Sequence, residues 1–582
     1  MNVVGVSAFY HESACCLLRN GRLIAAVEEE RFSRVKHDPR LPVSAFRYCL
    51  KAGGLGITEV DALAYYENPV RKHERQRWAG AETPAISAIR VERAIREGLG
   101  FEGPILYCDH HASHAASAFF FSGFPEAAVL TVDGVGEWAT TTYGRGEGTQ
   151  LQTFEQVDFP HSLGLLYSTI TSYLGFAVND GEYKVMGLAP YGKPRCVDEM
   201  RRLLASGSGG QFTLDLRYFD FVRGPRMYSE ALCELFGAPP RERESEITPF
   251  HQDVARSLQL VLEEILLEKV RWLHGRTGSP NLCMAGGVAL NCVANGRILR
   301  DGPFERLFVP PAAGDSGGCV GAAALAYREL TGASLSEPMR HAYLGPSWSE
   351  EEVARILGAT GLSFLDFRNR EEALIEATVD RLAAGKVVGW FHGRMELGPR
   401  ALGARSLLAD PRDPGMRDRL NRMVKKRESF RPFAPSVLLA HASEHLDLDH
   451  PSPFMLETCQ VTSKIDLPAV THVDGSARPQ TVDPEVAPRY AALLEAFHRR
   501  TGCPVLVNTS FNVRGEPIVA SPVDALLCFG STGIDALVLE DFLIDRKALP
   551  PNWPVLLEAW RQRPRSGFAG RSAISEDLYT FV

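Results

Sequence analysis

The feature that most constrains the fold is a local theme that occurs twice. Near the N-terminus, VVGVSAFYHESACCLLRNGRLIAAVEEERFSR strings short apolar runs together through small-residue turns. Its Asn20-Gly21 pair is a strong hairpin signal, because both residue types tolerate positive φ. From residue 129, VLTVDGVGEWATTTYGRG repeats the order: an apolar strand, a Gly-rich turn carrying Asp133, and a Thr-rich strand. Such an echo predicts a duplicated α/β domain.

Helical segments follow the strands. DVARSLQLVLEEILLEKVRWL, 253–273, has apolar residues at helical spacing. LCMAGGVALNCVANGRIL reads as strand, Gly-Gly turn and helix, and PPAAGDSGGCVGAAALAY as a Gly-rich loop entering a helix. A chain of 582 residues exceeds one compact core, so at least two domains are expected. The texture changes after about residue 335, where Pro, Gly and Ser interrupt all periodicity. The expected domains are 1–345 and 355–560, followed by a tail, 561–582. The second carries a strand in KVVGWFHG and a strand-turn unit in PVLVNTSFNVRGEPIV.

Composition narrows the function classes. A net charge of −8 offers no electrostatic footprint for nucleic acid. No apolar run approaches a membrane span, and MNVVGVSAFYHESACC reads as a first strand rather than a leader. Twelve cysteines form no CxxC pair, which argues against a thiolate zinc site or a disulfide framework. A reducing cytoplasm is the expected location.

In CDHHASHAASAF, His110 and His114 are spaced i, i+4 and share one face of a helix. That spacing suits two imidazoles on one metal ion, while His111 points elsewhere. The same residues also fit a polar helix start without metal. Asp133 and Asp315, each at a Gly-rich turn, are candidate further ligands, or simple helix caps. Two His and two carboxylates suit Fe²⁺, Zn²⁺ or Mn²⁺. The glycines of DGVGE, AGGVALN and AGDSGG would allow backbone N–H groups to approach a phosphate, although each also serves as an ordinary turn. Between 400 and 431 basic residues are dense. Arg417, Arg419 and Arg422 read as a solvated helix face, whereas the arginines of ELGPRALGARS sit among small residues, a setting for guanidiniums that fork onto phosphate. THVDGSARPQTV reads as a loop carrying His472, Asp474, Arg478 and Gln480.

Taken in order, SAFYHESACCL, EEERFSRVKHD, DHHASHAASAF, TVDGVGEW, EYKVMGLAPYG, GGVALNCVANGRI, AAGDSGGCVGAA, ELGPRALGARSLLADPR and NTSFNVRGEPIV resemble the O-carbamoyltransferase family, which includes antibiotic-tailoring and nodulation-factor carbamoyltransferases. The resemblance runs from residue 1 to about 545. It implies an N-terminal domain like the tRNA threonylcarbamoyl-transfer protein of the actin/sugar-kinase superfamily, and a smaller C-terminal domain like threonylcarbamoyl-adenylate synthase. It implies iron on His110, His114, Asp133 and Asp315. It also implies an adenylate near Gly134, Gly136, Gly286, Gly287, Asn291 and Gly314. In the second domain, Arg400, Arg405, Lys425, Arg431, Arg478, Ser510 and Asn512 correspond to a site for ATP, taken with Mg²⁺, and carbamoyl phosphate. These would give carbamoyl-adenylate, and the carbamoyl group would pass to a hydroxyl of a small-molecule acceptor. His11 is the candidate general base and Lys36 the candidate phosphate neutraliser; either could equally be structural. No nucleic-acid or membrane partner is expected, and a homodimer is one open possibility. The competing reading is a tRNA threonylcarbamoyl-adenosine enzyme, against which the acidic charge weighs.

Overall fold

The computed structural model describes residues 1–80, 88–335, 337–425, 430–551 and 553. Of these, Met1–Glu29 and His37–Met339 form one compact unit, and Glu30–Lys36 with the chain from Arg340 onward form another. Among the described residues no helix is long and apolar enough to cross a membrane. The expected tail at 561–582 lies outside the described residues.

The first unit holds two five-stranded sheets of the same design. One is built from β1 (Asn2–Ser7), β2 (Ala14–Arg19), β3 (Arg22–Glu28), β4 (Ala62–Tyr65) and β5 (Ile105–Tyr107), in the order β3-β2-β1-β4-β5. The Asn20-Gly21 turn between β2 and β3 has φ of 49° and 77°, as the hairpin signal requires. The other is built from β6 (Glu126–Val132), β7 (Ala139–Glu147), β8 (Gln150–Asp158), β11 (Asn281–Ala285) and β12 (Arg306–Phe308), in the order β8-β7-β6-β11-β12; β9 (Leu204–Ser206) and β10 (Phe212–Leu214) form a small separate hairpin. In each sheet the first three strands are antiparallel and the last two run parallel to the first. The two sheets thus share one design, as the repeated strand theme predicts.

The sheets share their helices crosswise. Helix His110–Phe119 follows β5 yet packs Ala115, Ala118 and Phe119 against Ala127, Val129, Cys283 and Ala285 of the second sheet. Helix Gly318–Thr331 follows β12 yet lies against β1, where a Cβ on Gly5 would stand 1.9 Å from the Cys319 carbonyl oxygen. The two helices themselves approach so closely that a Cβ on Gly321 would come within 1.7 Å of the Ser113 carbonyl oxygen. Glycine is the residue that permits this backbone contact. The crossing brings the N-terminal ends of both helices beside the β1–β2 and β6–β7 loops.

The second unit is a mixed eight-stranded sheet. Its strands are β13 (Leu365–Asp366), β14 (Val388–Phe391), β15 (Arg405–Ala409), β16 (Ala434–Leu438), β19 (Gln480–Val482), β20 (Val505–Ser510), β21 (Ala536–Leu539) and β22 (Phe542–Asp545); β17 (Cys459–Gln460) and β18 (Ser476–Ala477) pair separately. The sheet order is β13-β22-β21-β14-β15-β20-β16-β19. Its apolar core includes Trp390, Phe391, Leu407, Leu408, Phe497, Val505 and Leu537.

Three expectations from the sequence are corrected here. Arg405 is fully buried, and its Nη atoms donate to the carbonyls of His392, Ala404, Pro346 and Gly393 while the guanidinium stacks on Phe391. Its fork is spent on the fold, leaving that arginine a structural staple where a phosphate ligand was expected. Arg419, expected on a solvated face, holds Asp535 with Nη2 at 2.8 and 3.0 Å and also donates to the Gly385 carbonyl. Gln480, expected in a loop, lies in β19, where it bonds Ser436, Asn508 and the Leu402 carbonyl.

Candidate functional site

Four side chains converge where the crossed helices meet the β6–β7 loop. His110 and His114 come from one helix face, Asp133 from the residue after β6, and Asp315 from the one-turn helix Asp315–Gly317 ahead of helix Gly318–Thr331. His110 Nε2 lies 3.0 Å from Asp133 Oδ2 and 3.0 Å from His114 Nε2. His114 Nε2 lies 3.4 Å from Asp315 Oδ1 and 3.6 Å from Asp133 Oδ2, and His110 Nε2 lies 3.6 Å from Asp315 Oδ1. Two ligands bound to one ion at about 2.1 Å stand about 3.0–3.4 Å apart. The spacing therefore fits a single metal ion, and one ligand atom from each residue lies within 4.8 Å of all the others.

The electrostatics point the same way. All four residues are buried, and both Asp315 oxygens lack a hydrogen-bond donor among the described residues. Two buried carboxylates this close require a cation. Burial alone would push the His114 imidazole down, but the neighbouring carboxylates of Asp133 and Asp315 outweigh it and lift the ring to about 9. Burial likewise opposes ionisation of Asp133, yet the two histidines hold it well below the usual carboxylate range. A proton is thus drawn into the space a metal would fill. His111 stands apart: Nδ1 meets Thr131 Oγ1 at 2.6 Å, and burial followed by the neighbouring His110 pushes its ring well down.

The supporting contacts were not visible in the sequence. Glu137, 3% exposed, accepts from the His110 N–H at 3.0 and 3.2 Å and from the Asn68 N–H at 2.6 Å. It caps the histidine helix, a task the Asp109 side chain at the N-cap does not perform. Asp133 Oδ1 accepts from the Gly287 N–H at 2.7 Å. Gly286 takes φ of 96°, and a Cβ there would meet the Val132 carbonyl oxygen at 2.3 Å. A Cβ on Gly136 would meet the His110 side chain. Asn291 caps helix Cys292–Asp301 and bonds Gln259. These residues orient the ligand set and the strands behind it. Gly134 alone among the glycines expected near an adenylate faces open space at its Cβ position, while a Cβ on Gly314 would stand 3.4 Å from Glu12 Oε2.

His11, on the β1–β2 loop, sets Nε2 3.7 Å from Asp315 Oδ2, the oxygen that faces away from the histidine pair. Lys36 is half-buried in the segment Glu30–Lys36, which belongs to the second unit. There, Ser510 Oγ donates to Asn512 Oδ1 at 2.7 Å, and Asn512 Nδ2 holds the Glu516 carbonyl. Arg400, Arg431 and Arg478 are half-buried in loops. Lys425 closes a turn of π-helix, Asn421–Lys425; its side chain lies outside the described residues, as do Lys426 and Arg427.

The first unit thus pairs a duplicated sheet design with a buried two-histidine, two-carboxylate cluster, and the second unit is a mixed α/β sheet. Residues 2–97 and 83–324 match the family described as carbamoyltransferase N-terminus, and 379–546 match carbamoyltransferase C-terminus. The chain belongs to the carbamoyltransferase family and is a carbamoyltransferase. It is similar to an uncharacterized protein of Synechocystis, 44% identical across 94% of this chain and 97% of that protein. The nodulation protein NolNO of Sinorhizobium fredii is 39% identical across 94% of this chain and 81% of its own length. The 3'-hydroxymethylcephem-O-carbamoyltransferase of Amycolatopsis lactamdurans is 30% identical across 91% and 97%.

Proposed function

We propose that the protein is an ATP-dependent O-carbamoyltransferase acting on a hydroxyl of a small molecule, as the name of the cephem relative states for that enzyme. Carbamoyl phosphate, ATP and one water give carbamoyl-adenylate, phosphate and pyrophosphate. The acceptor oxygen then bonds the carbamoyl carbon, the bond to AMP breaks, and AMP departs. Activation is assigned to the second unit, where Arg400, Lys425, Arg431 and Arg478 offset phosphate charge and Ser510 with Asn512 contact the nucleotide. Lys36 assists the same anions. Mg²⁺ accompanies ATP.

Transfer is assigned to the first unit. His110, His114, Asp133 and Asp315 would hold Fe²⁺, which when bound would supply Lewis acidity toward a carbonyl or phosphoryl oxygen. His11 accepts the acceptor's hydroxyl proton at Nε2, and Asp315 Oδ2 stabilises the imidazolium that forms. Gly134 leaves room for the adenylate. The observation that carries this reading is the placement of His11 across Asp315 from the histidine pair, which sets a base beside the ligand cluster.

The test separates the half-reactions. His114→Ala should retain carbamoyl-phosphate-dependent exchange of labelled pyrophosphate into ATP, yet give no carbamoylated product by mass spectrometry across a panel of alcohols. Ser510→Ala with Asn512→Ala should lose both, and added carbamoyl-adenylate should restore product. A folded His114→Ala protein without exchange would refute the two-site scheme.

A further inference from the structure

Helix Pro69–Trp78 buries two cations one turn apart, and the fold treats them differently. Lys72 Nζ holds both oxygens of Glu67, at 2.9 and 2.8 Å. Arg75, 1% exposed, has Nε and Nη1 buried with no acceptor among the described residues, and its guanidinium lies over the Phe159 ring at 5.4 Å. The carboxylates within its electrostatic reach are already committed. Glu67 serves Lys72, and Glu137 serves the N–H groups of Asn68 and His110. A guanidinium keeps its charge at any working pH, and a buried one without an acceptor is costly unless a ligand supplies it.

Two lines of contact lead toward the metal cluster, one from the neighbouring Lys72 and one from Arg75 itself. Lys72 Nζ lies 5.1 Å from the Tyr10 ring, Tyr10 lies 4.5 Å from the His11 ring, and His11 faces Asp315. On the other side, the Phe159 N–H donates to the Trp138 carbonyl at 2.7 Å, and the adjacent Glu137 holds the His110 N–H. The outer rim is aromatic. Trp78, 47% exposed, meets Trp138 and Phe159 edge to face at 5.8 and 5.9 Å.

We infer that Arg75 is an anion-recognition residue of the transfer site, taking a phosphate or carboxylate oxygen of a ligand whose ring portion rests against Trp78 and Trp138. The inference deepens the carbamoyl-transfer reading and rests on it only for the two sources of that anion: the phosphate of the adenylate, or an acidic group on the acceptor. Ring-bearing ligands suit the tryptophan rim, and a guanidinium fork suits either oxyanion.

The test titrates full-length, metal-loaded protein with AMP and, separately, with glucuronate, followed by tryptophan fluorescence and calorimetry. In wild type one of the two should bind. Arg75→Met should weaken that ligand by at least about tenfold, Arg75→Lys by less, and Arg71→Gln, on the surface beside Asp109, should match wild type. Loss confined to AMP identifies the donor phosphate, and loss confined to glucuronate the acceptor. Melts accompany each variant; if Arg75→Met does not fold, Arg75→Lys decides. Unchanged binding in the folded Arg75 variants, or no binding of either probe to wild type, overturns the inference. Carbamoyl transfer is not the readout, so this failure is distinct from failure of the proposed reaction.

Discussion

Replacing Glu137 by alanine should loosen the metal cluster without touching a ligand. Its carboxylate closes two N–H groups in the interior, those of His110 and Asn68. Each donor left unpaired costs about 1–3 kcal/mol, so Glu137→Ala should destabilise the fold by roughly 2–6 kcal/mol. The same carboxylate fixes the start of the histidine helix relative to the loop that carries Asp133. Losing such a support typically weakens metal affinity about 10–100-fold. Glu137→Gln keeps a carbonyl oxygen in place and should recover most of both effects. The assay is competition of each variant with a calibrated chelator for Zn²⁺, a redox-inert probe, beside thermal melts with and without metal. A folded Glu137→Ala protein that binds Zn²⁺ within about twofold of wild type would refute the reasoning, because helix and loop would then hold register without this contact.

Further outcomes follow from the same geometry. His110→Ala should abolish stoichiometric metal binding measured by elemental analysis, whereas His111→Ala, which loses a partner of Thr131, should spare it. In metal-free protein the folded His114 imidazole titrates near 9 against about 6.5 unfolded. The stability it contributes is complete below about pH 6.5 and lost as pH rises through about 9, so the apo melting temperature should fall across that window and saturating metal should flatten the slope. Gly321→Val should destabilise at or beyond the upper end of the about 1–3 kcal/mol typical of overpacking, by denaturant titration, since a Cβ there meets the Ser113 carbonyl oxygen. Arg405→Met should lower stability by denaturant titration, whereas Arg431→Ala should weaken carbamoyl phosphate use by at least about tenfold in steady-state kinetics.

What the sequence disclosed was governed by local rules. The Asn20-Gly21 turn, the duplicated strand theme and the His110/His114 spacing each depend on neighbours a few residues apart, and the structure keeps all three. What it concealed depends on distant partners. Glu137 is one acid in a Gly-rich turn until the fold lays it against the N–H groups of His110 and Asn68. Arg405 and Arg431 are both arginines in a basic stretch, and only burial separates the staple from the loop residue. Arg419 fits a solvated helix face until Asp535 arrives from more than a hundred positions away. The glycines were legible as close-approach residues, but not what approaches: at Gly286 it is the Val132 backbone.

The seven residues Glu30–Lys36 belong to the second unit although their neighbours on both sides belong to the first. Arg31 donates to the Gly398 carbonyl and Arg34 to those of Pro517 and Ile518, with Asp524 at 3.6 Å from its Nε. During synthesis these arginines emerge early and wait hundreds of residues for their acceptors. Domains emerging from the ribosome ordinarily fold as units, N-terminal first. Here the later unit cannot be finished without a strip laid down at the start, so a fragment beginning at Arg340 would lack part of itself. Adding a peptide spanning residues 30–36 to such a fragment should raise its melting temperature, and a scrambled peptide should not.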